Sequence, residues 1–214
     1  MPQSVKGLAR QAWDKLFPNH TCLVCGDEIR ERELPNICVR CSGTFAKHPE
    51  PRQGNVHTPF VYVAPVSGLV LALKYANGGL VAQTFAPAMA ECLGGAEYDI
   101  IVPVPLFRDR QKKRGYNQAE VLAREISHIS GVSVAEVLGK VRATIPQEDM
   151  TSEQRMANQK DAYAVRDGAN VKGKRVLLVD DVVTSGATTD ECAKVLADAG
   201  AADIIVVAIA RPNK

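Results

Sequence analysis

No apolar run in this 214-residue chain approaches the roughly 18 residues that a membrane-spanning helix needs, so no membrane span is expected. The opening MPQSVKGLARQAWDKLF mixes charges with apolar residues and lacks the apolar core of a secretion signal. A cytoplasmic, reducing location is the resulting expectation. Net charge is nearly absent: 26 basic and 24 acidic residues give +2. That balance supplies no electrostatic case for a nucleic-acid partner by itself. No internal repeat and no low-complexity segment occurs. The chain is 46% hydrophobic and 23% charged, values of globular proteins that argue against disorder. The length suits one ordinary domain plus a small module.

Cysteine is present, and it is clustered. Four of the six cysteines form two pairs, Cys22-Leu-Val-Cys25 and Cys38-Val-Arg-Cys41, with twelve residues between them. In a reducing location such clusters more often ligate metal than form disulfides. Each pair places two thiolates on one turn, and two such turns close a tetrahedron around zinc. Four sulfur ligands leave no open position for water, so the ion would be structural. A redox dithiol pair, or four unrelated thiols, is the other reading of these residues. Cys92 and Cys192 stand alone in apolar helical patterns and read as buried small hydrophobes. His20, His48 and His57 read as surface or linker residues. Pro49, Pro51, Gly54 and Pro59 mark residues 46–58 as a linker. Leu8, Ala12, Leu16 and Phe17 recur at helical spacing over residues 4–17. The expected division is therefore 1–50 for an N-terminal helix and four-cysteine module, and 58–214 for a larger domain.

From residue 58 onward, strand and helix patterns alternate. Strands are expected at 60–64, 98–104, near 162–165, at 174–180 and at 203–209. Helices are expected at 67–75, 80–93, 118–129, 152–159 and 187–199, the last ending near Gly200. This alternation predicts an α/β fold with a mostly parallel sheet flanked by helices, and ligands at the carboxyl ends of its strands.

Residues 176–189 read VLLVDDVVTSGATT. Val176 to Val179 form a buried-strand pattern, with Asp180 and Asp181 at its carboxyl end. Thr184, Ser185, Gly186, Ala187 and Thr188 then lead into a helix. Amide groups at a helix N-terminus carry partial positive charge and bind anions. Two adjacent carboxylates repel by about 4 kcal/mol at 4 Å in an intermediate dielectric, so they need a cation or hydroxyl donors beside them. An acid pair next to an anion loop points to a sugar phosphate. A second loop, after the strand 98–104, runs from Pro103 to Gln118. Five of its seven residues from Arg108 to Arg114 are basic, which is either a solvated charge run or a second anion site at the same sheet edge.

The 176–189 segment resembles the phosphoribosyl pyrophosphate loop of the type I phosphoribosyltransferases. Many members have Thr-Gly-Gly-Thr where Ser185-Gly186-Ala187-Thr188 stands; serine keeps the hydroxyl and alanine keeps the close backbone approach. The four-cysteine module, the PVPL strand end, RGYNQAEVLA and DDVVTSGATT together resemble the ComF/GntX-type family of competence-related, phosphoribosyltransferase-like proteins. Thr144, Gln147, Arg155 and Asn158 also match family positions, and Lys74-Tyr75 matches one without a known role. The resemblance implies that Asp180 and Asp181 hold the ribose hydroxyls and that residues 184–188 cradle the 5′-phosphate. It implies that Arg108 and Arg114 contact pyrophosphate, that Mg2+ accompanies phosphoribosyl pyrophosphate, and that the protein is linked to DNA uptake. Residues 143–150 are either a lid over the site or a plain surface loop.

Two functional classes follow. One is a magnesium-dependent phosphoribosyltransferase whose acceptor has no legible pocket. The other is an adaptor in DNA uptake, with the zinc module and Lys112-Lys113-Arg114 touching single-stranded DNA or a protein partner.

Overall fold

The computed structural model describes residues 21–75, 78–144 and 151–213. The helical pattern at 4–17, His20, Gln147 and the rest of 145–150 lie outside those residues. The chain divides into two compact units, residues 1–44 and residues 45–214.

In the first unit the cysteine pairs sit on two tight turns. The Gly26 amide donates to the Cys22 carbonyl at 2.8 Å, and the Cys41 and Ser42 amides both donate to the Cys38 carbonyl at 3.0 Å. The second turn continues into a single helical turn, α1 (Val39–Ser42). A hydrogen bond from the Leu23 amide to the Asn36 carbonyl, 3.0 Å, ties the two turns together. Among the described residues up to 44, only Cys22, Ile37 and Cys41 are buried apolar side chains. Such a core cannot offset the chain entropy of folding without help.

The second unit is built on a five-stranded sheet. Its strands are β1 (Arg52–Gln53), β2 (Val56–His57), β4 (Ile100–Pro103), β7 (Arg175–Val179) and β8 (Asp203–Val207), in the order β1-β2-β8-β7-β4. Only the β1–β2 pair is antiparallel. Two small sheets accompany it: β3 (Phe60–Val61) with β9 (Ala210–Arg211), and β5 (Leu138–Lys140) with β6 (Tyr163–Val165). The helices are α2 (Val66–Tyr75), α3 (Gly78–Leu93), α4 (Arg108–Arg114), α5 (Gln118–Ser130), α6 (Ser152–Gln159) and α7 (Ala187–Asp198). β7 lies between β4 and β8 and has helices on its faces, so it needs apolar residues on both sides. Val176, Leu177, Leu178 and Val179 are at most 1% exposed. The βαβ unit β7–α7–β8 places two parallel neighbours side by side, as short crossovers do. The α/β fold with a mostly parallel sheet is thus the observed one.

Capping explains where several helices begin. Asn117 accepts from the Ala119 amide at 3.1 Å and starts α5. Thr151 and Gln154 form a reciprocal capping box at the start of α6. α7 ends with the Gly200 amide bonded to the Ala197 carbonyl at 2.8 Å.

Three features differ from the sequence reading. Residues 46–58 are not a free linker: the Val61 amide donates to the Ala46 carbonyl at 2.8 Å, and β1 and β2 extend the main sheet. Strands of two residues carry no readable periodicity, whereas the prolines and Gly54 that mark their turns do. Phe45 fixes this segment further, with its ring 5.7 Å from Phe60 and 6.0 Å from Phe85. His48 and His57 are buried, not surface residues, at 8% exposure each. Their rings face the Arg211 guanidinium and the Cys92 carbonyl respectively. The basic loop contains a helix, α4, that its charge run concealed.

Gly78 opens α3 directly beneath Tyr116, where an added Cβ would lie 2.6 Å from the ring. Alanine ordinarily stabilises a helix by about 1 kcal/mol over glycine. Here the overlap outweighs that gain, because an overpacked core loses roughly 1–3 kcal/mol. Gly78→Ala is therefore expected to lower the midpoint of denaturant unfolding; a raised midpoint would show that Tyr116 moves aside freely.

Candidate functional site

β4 and β7 end side by side, with the Val104 amide bonded to the Val179 carbonyl at 2.9 Å. The basic loop and the acidic pair therefore leave the same edge of the sheet. The Asp180 amide still pairs with Val207 at 3.0 Å, and the Asp181 carbonyl accepts from Ile209 at 3.1 Å. The acid pair is thus held on regular backbone. Asp180 and Asp181 are buried, at 9% and 7% exposure. Asp180 accepts from the Asp181 amide at 2.8 Å, and Asp181 accepts through Oδ1 from the Val182 amide at 2.9 Å.

Burial, and then the Asp181 charge beside it, push Asp180 well above the ordinary carboxylate range. The counter-charge is Lys74, whose Nζ lies 3.1 Å from Asp181 Oδ2. Burial alone would lower the Lys74 pKa, but Asp181 outweighs it and the net direction is upward. Asp181 Oδ2 accepts no well-oriented hydrogen bond among the described residues. The contact is therefore an ion pair rather than a directed bond, and that oxygen keeps its acceptor capacity. Lys74 is the single charged residue of α2, VSGLVLALKY, and that isolation was its signal in the sequence.

After Val183 the backbone leaves the sheet. Thr184 and Ser185 lead to Gly186, which caps α7 at φ 84°, a left-handed conformation that favours glycine. With no side chain at the cap, the first amides of α7 lack the usual side-chain acceptor. The Ser185 hydroxyl comes only to 3.5 Å of the Ala187 amide. Ala187 is buried and Thr188 half-buried. Residues 184–188 thus form a turn with unclaimed amides directly after the acid pair.

The basic residues do not converge. Arg108 is exposed at the start of α4, and Arg114 lies at its end, with its guanidinium 5.5 Å from the Tyr75 ring centre. They stand at the two ends of this seven-residue helix, roughly 9 Å apart along the axis. The loop is anchored at its far end, where Tyr116 donates to the Leu73 carbonyl and Asn117 to the Val104 carbonyl. Arg155 reaches in from α6, with one guanidinium nitrogen 3.4 Å from the Thr184 hydroxyl. A cavity of about 370 Å³ opens beside the loop between Val183–Gly186 and residues brought from far along the chain, among them Glu50, Gln53 and Asn213. Its walls are scattered along the chain, so no contiguous motif marks it.

In the first unit, the sulfurs of Cys22, Cys25, Cys38 and Cys41 all lie within 4.8 Å of one another, with Cys25 and Cys38 at 3.9 Å. A tetrahedral zinc with bonds of about 2.3 Å requires sulfurs roughly 3.8 Å apart, whereas a disulfide requires about 2.05 Å. All six cysteines are free. Zinc fits this donor set. Burial would raise the Cys22 thiol, but backbone donors at Cys38, Cys25 and Val24 bring it down to about 6. Burial and the neighbouring thiols push Cys41 up to about 12. Four crowded thiols resist joint ionisation until a cation compensates them.

Known proteins similar to this chain were found by sequence and by structure. A model of the phosphoribosyl transferase domain matches residues 77–214. The chain is 31% identical over 208 residues to "Competence protein F" of Haemophilus influenzae, covering 90% of this chain and 91% of that protein. It is 32% identical over 200 residues to "DNA utilization protein YhgH" of Escherichia coli K12, covering 89% and 83%. Among solved structures it is similar to adenine phosphoribosyltransferase from Thermoanaerobacter pseudethanolicus, at 21% identity, a TM-score of 0.39, and coverage of 78% of this chain and 84% of that one.

Lys74→Met is expected to destabilise the second unit by on the order of 2 kcal/mol. Breaking a buried pair costs roughly 3–5 kcal/mol, discounted here because the Lys74 side chain is 26% exposed. In a denaturant-unfolding cycle, Asp181→Asn should recover part of that loss; strict additivity of the two losses would refute the pairing. Treating the protein with a strong chelator should unfold residues 21–44 and leave the second unit intact. Persistence of the first unit's dispersed amide NMR signals without metal would show that zinc is not its support.

Proposed function

The chain belongs to the ComF family of competence-related proteins with a phosphoribosyl transferase domain, and from that membership we propose that it binds phosphoribosyl pyrophosphate or ribose 5-phosphate with magnesium. The observation that carries this reading is the buried acid pair, Asp180 and Asp181, followed directly by an uncapped helix N-terminus. Vicinal hydroxyls of a ribose donate to carboxylate oxygens, and the 5′-phosphate accepts from the amides and hydroxyls of Thr184 to Thr188. Arg114 and Arg108 offer cations to the pyrophosphate from the adjacent loop. Magnesium suits the hard oxygen donors of Asp180 and Asp181 and of the phosphates. When bound, it supplies neutralisation of the pyrophosphate charge.

The reaction proposed is transfer at the anomeric carbon. A nitrogen nucleophile forms a bond to that carbon as the bond to the pyrophosphate oxygen breaks, and the nucleophile's proton leaves to solvent or base. Positive charge grows on the sugar in between. The acid pair stands where that charge is stabilised. The cavity beside residues 183–186 has the volume for an acceptor, as ligand pockets of a few hundred Å³ do. The acceptor itself is not identified by these residues.

A second reading has its own observation. α4 carries five basic residues, and Arg108, Lys112 and Lys113 are exposed. Relatives carry the printed names of competence and DNA-utilization proteins. An adaptor that binds single-stranded DNA or a DNA-uptake protein would use the basic face of α4, with the zinc module as a second, separate contact. Both readings place the protein in the cytoplasm, where its sugar phosphate and its reduced thiols coexist.

Incubation with phosphoribosyl pyrophosphate, magnesium and a panel of nucleobases decides between them. Acceptor-dependent pyrophosphate release supports transfer. Binding without turnover, together with DNA binding that weakens steeply with salt, supports the adaptor. Asp181→Asn removes a charge but little volume, so calorimetry should show sugar-phosphate affinity reduced about tenfold or more while the domain stays folded. Unchanged affinity would overturn the assignment of the acid pair.

A further inference from the structure

Arg155 has no ion-pair partner among the described residues. It projects from α6, whose position is fixed at both ends. The Thr151–Gln154 capping box sets its start. At its other end, the Asp161 amide donates to Glu191 of α7 at 2.8 Å, and Arg142 donates to the carbonyls of Asn158 and Lys160 at 3.0 and 2.6 Å. Gln159, 2% exposed, accepts from Tyr163 at 2.9 Å beneath the same helix. α6 therefore presents Arg155 at a set position rather than on a free arm. One terminal nitrogen of the guanidinium lies 3.4 Å from the Thr184 hydroxyl. Its Nε is buried and has no hydrogen-bond partner among the described residues. No carboxylate pairs with it among those residues, although seven ion pairs are present elsewhere.

The electrostatics of this placement are adverse as they stand. The N-terminus of α7 carries partial positive charge, which Asp190 in its first turn offsets only in part, and a cation beside it is disfavoured. A guanidinium cannot relieve the conflict by losing its proton. Two positive elements facing each other become favourable when an anion lies between them. The planar fork of arginine matches the oxygens of a phosphoryl group.

We propose that Arg155 is a ligand-binding residue that closes the phosphate cradle, clamping the phosphoryl group between α6 and the N-terminus of α7. The inference rests on the reading of residues 184–188 as a phosphate site and adds a contact from a different helix. It assigns to α6 the recognition of the phosphate, separate from the acid pair's recognition of the sugar.

The test measures binding of ribose 5-phosphate by calorimetry and of inorganic phosphate by 31P line broadening. Wild type, Arg155→Gln, Arg155→Lys and Asp181→Asn are compared, each checked for folding by its thermal transition. Arg155→Gln should weaken both ligands by about tenfold or more, and Arg155→Lys should restore part of the loss. Asp181→Asn should weaken ribose 5-phosphate and leave inorganic phosphate unchanged. Should both Arg155 variants bind both ligands as wild type does, the clamp is wrong while the sugar-phosphate site stands. If wild type binds phosphate in an Arg155-dependent way but not the sugar phosphate, the clamp stands and the sugar site falls. Absence of binding by either ligand overturns both.

Discussion

Two carboxylates share one buried strand end, and everything around them answers that repulsion. Asp180 is buried, and burial and the Asp181 charge push its pKa upward, Asp181 faces the Lys74 ammonium, and backbone amides take one oxygen of each. Replacing the pair with apolar residues would improve the sheet, since buried ion pairs rarely add stability over hydrophobic packing. Their retention next to unclaimed helix amides makes sense as preorganisation. The acceptors and donors are aimed before a ligand arrives, and less reorganisation accompanies binding. α2 is seated by its buried Val66, Leu69, Val70 and Leu73, and that packing brings its lone cation to Asp181.

The two units meet the same folding problem by different means. The second unit buries continuous apolar strands between helices, with Phe45, Phe60 and Phe85 packed edge to face at its border. The first has almost no apolar interior among its described residues, and its order comes from turns that gather four sulfurs. Zinc held by those four sulfurs would contribute folding free energy there that apolar surface supplies elsewhere.

Sequence made legible whatever is local. β7, the acid pair and the start of α7 are contiguous, so strand pattern, charge and small residues could be read in one line. The helix expected at 152–159 is α6, with the same bounds. What escaped was short or distant. β1 and β2 are two residues each, and α4 is a run of charges without an apolar face. The contacts Lys74–Asp181 and Arg155–Thr184 join helices to a loop far along the chain, and no spacing rule announces them. Burial of His48 and His57 was likewise hidden, since it arises from strands that only tertiary pairing creates.

The bond from Asn117 to the Val104 carbonyl has one more implication. It staples together the two points where the basic loop leaves and rejoins the scaffold, so the intervening residues hang from a closed neck. Lengthening, shortening or recharging that stretch would leave the sheet beneath it undisturbed. Evolution, or an engineer, has there a swappable attachment on an otherwise constrained frame.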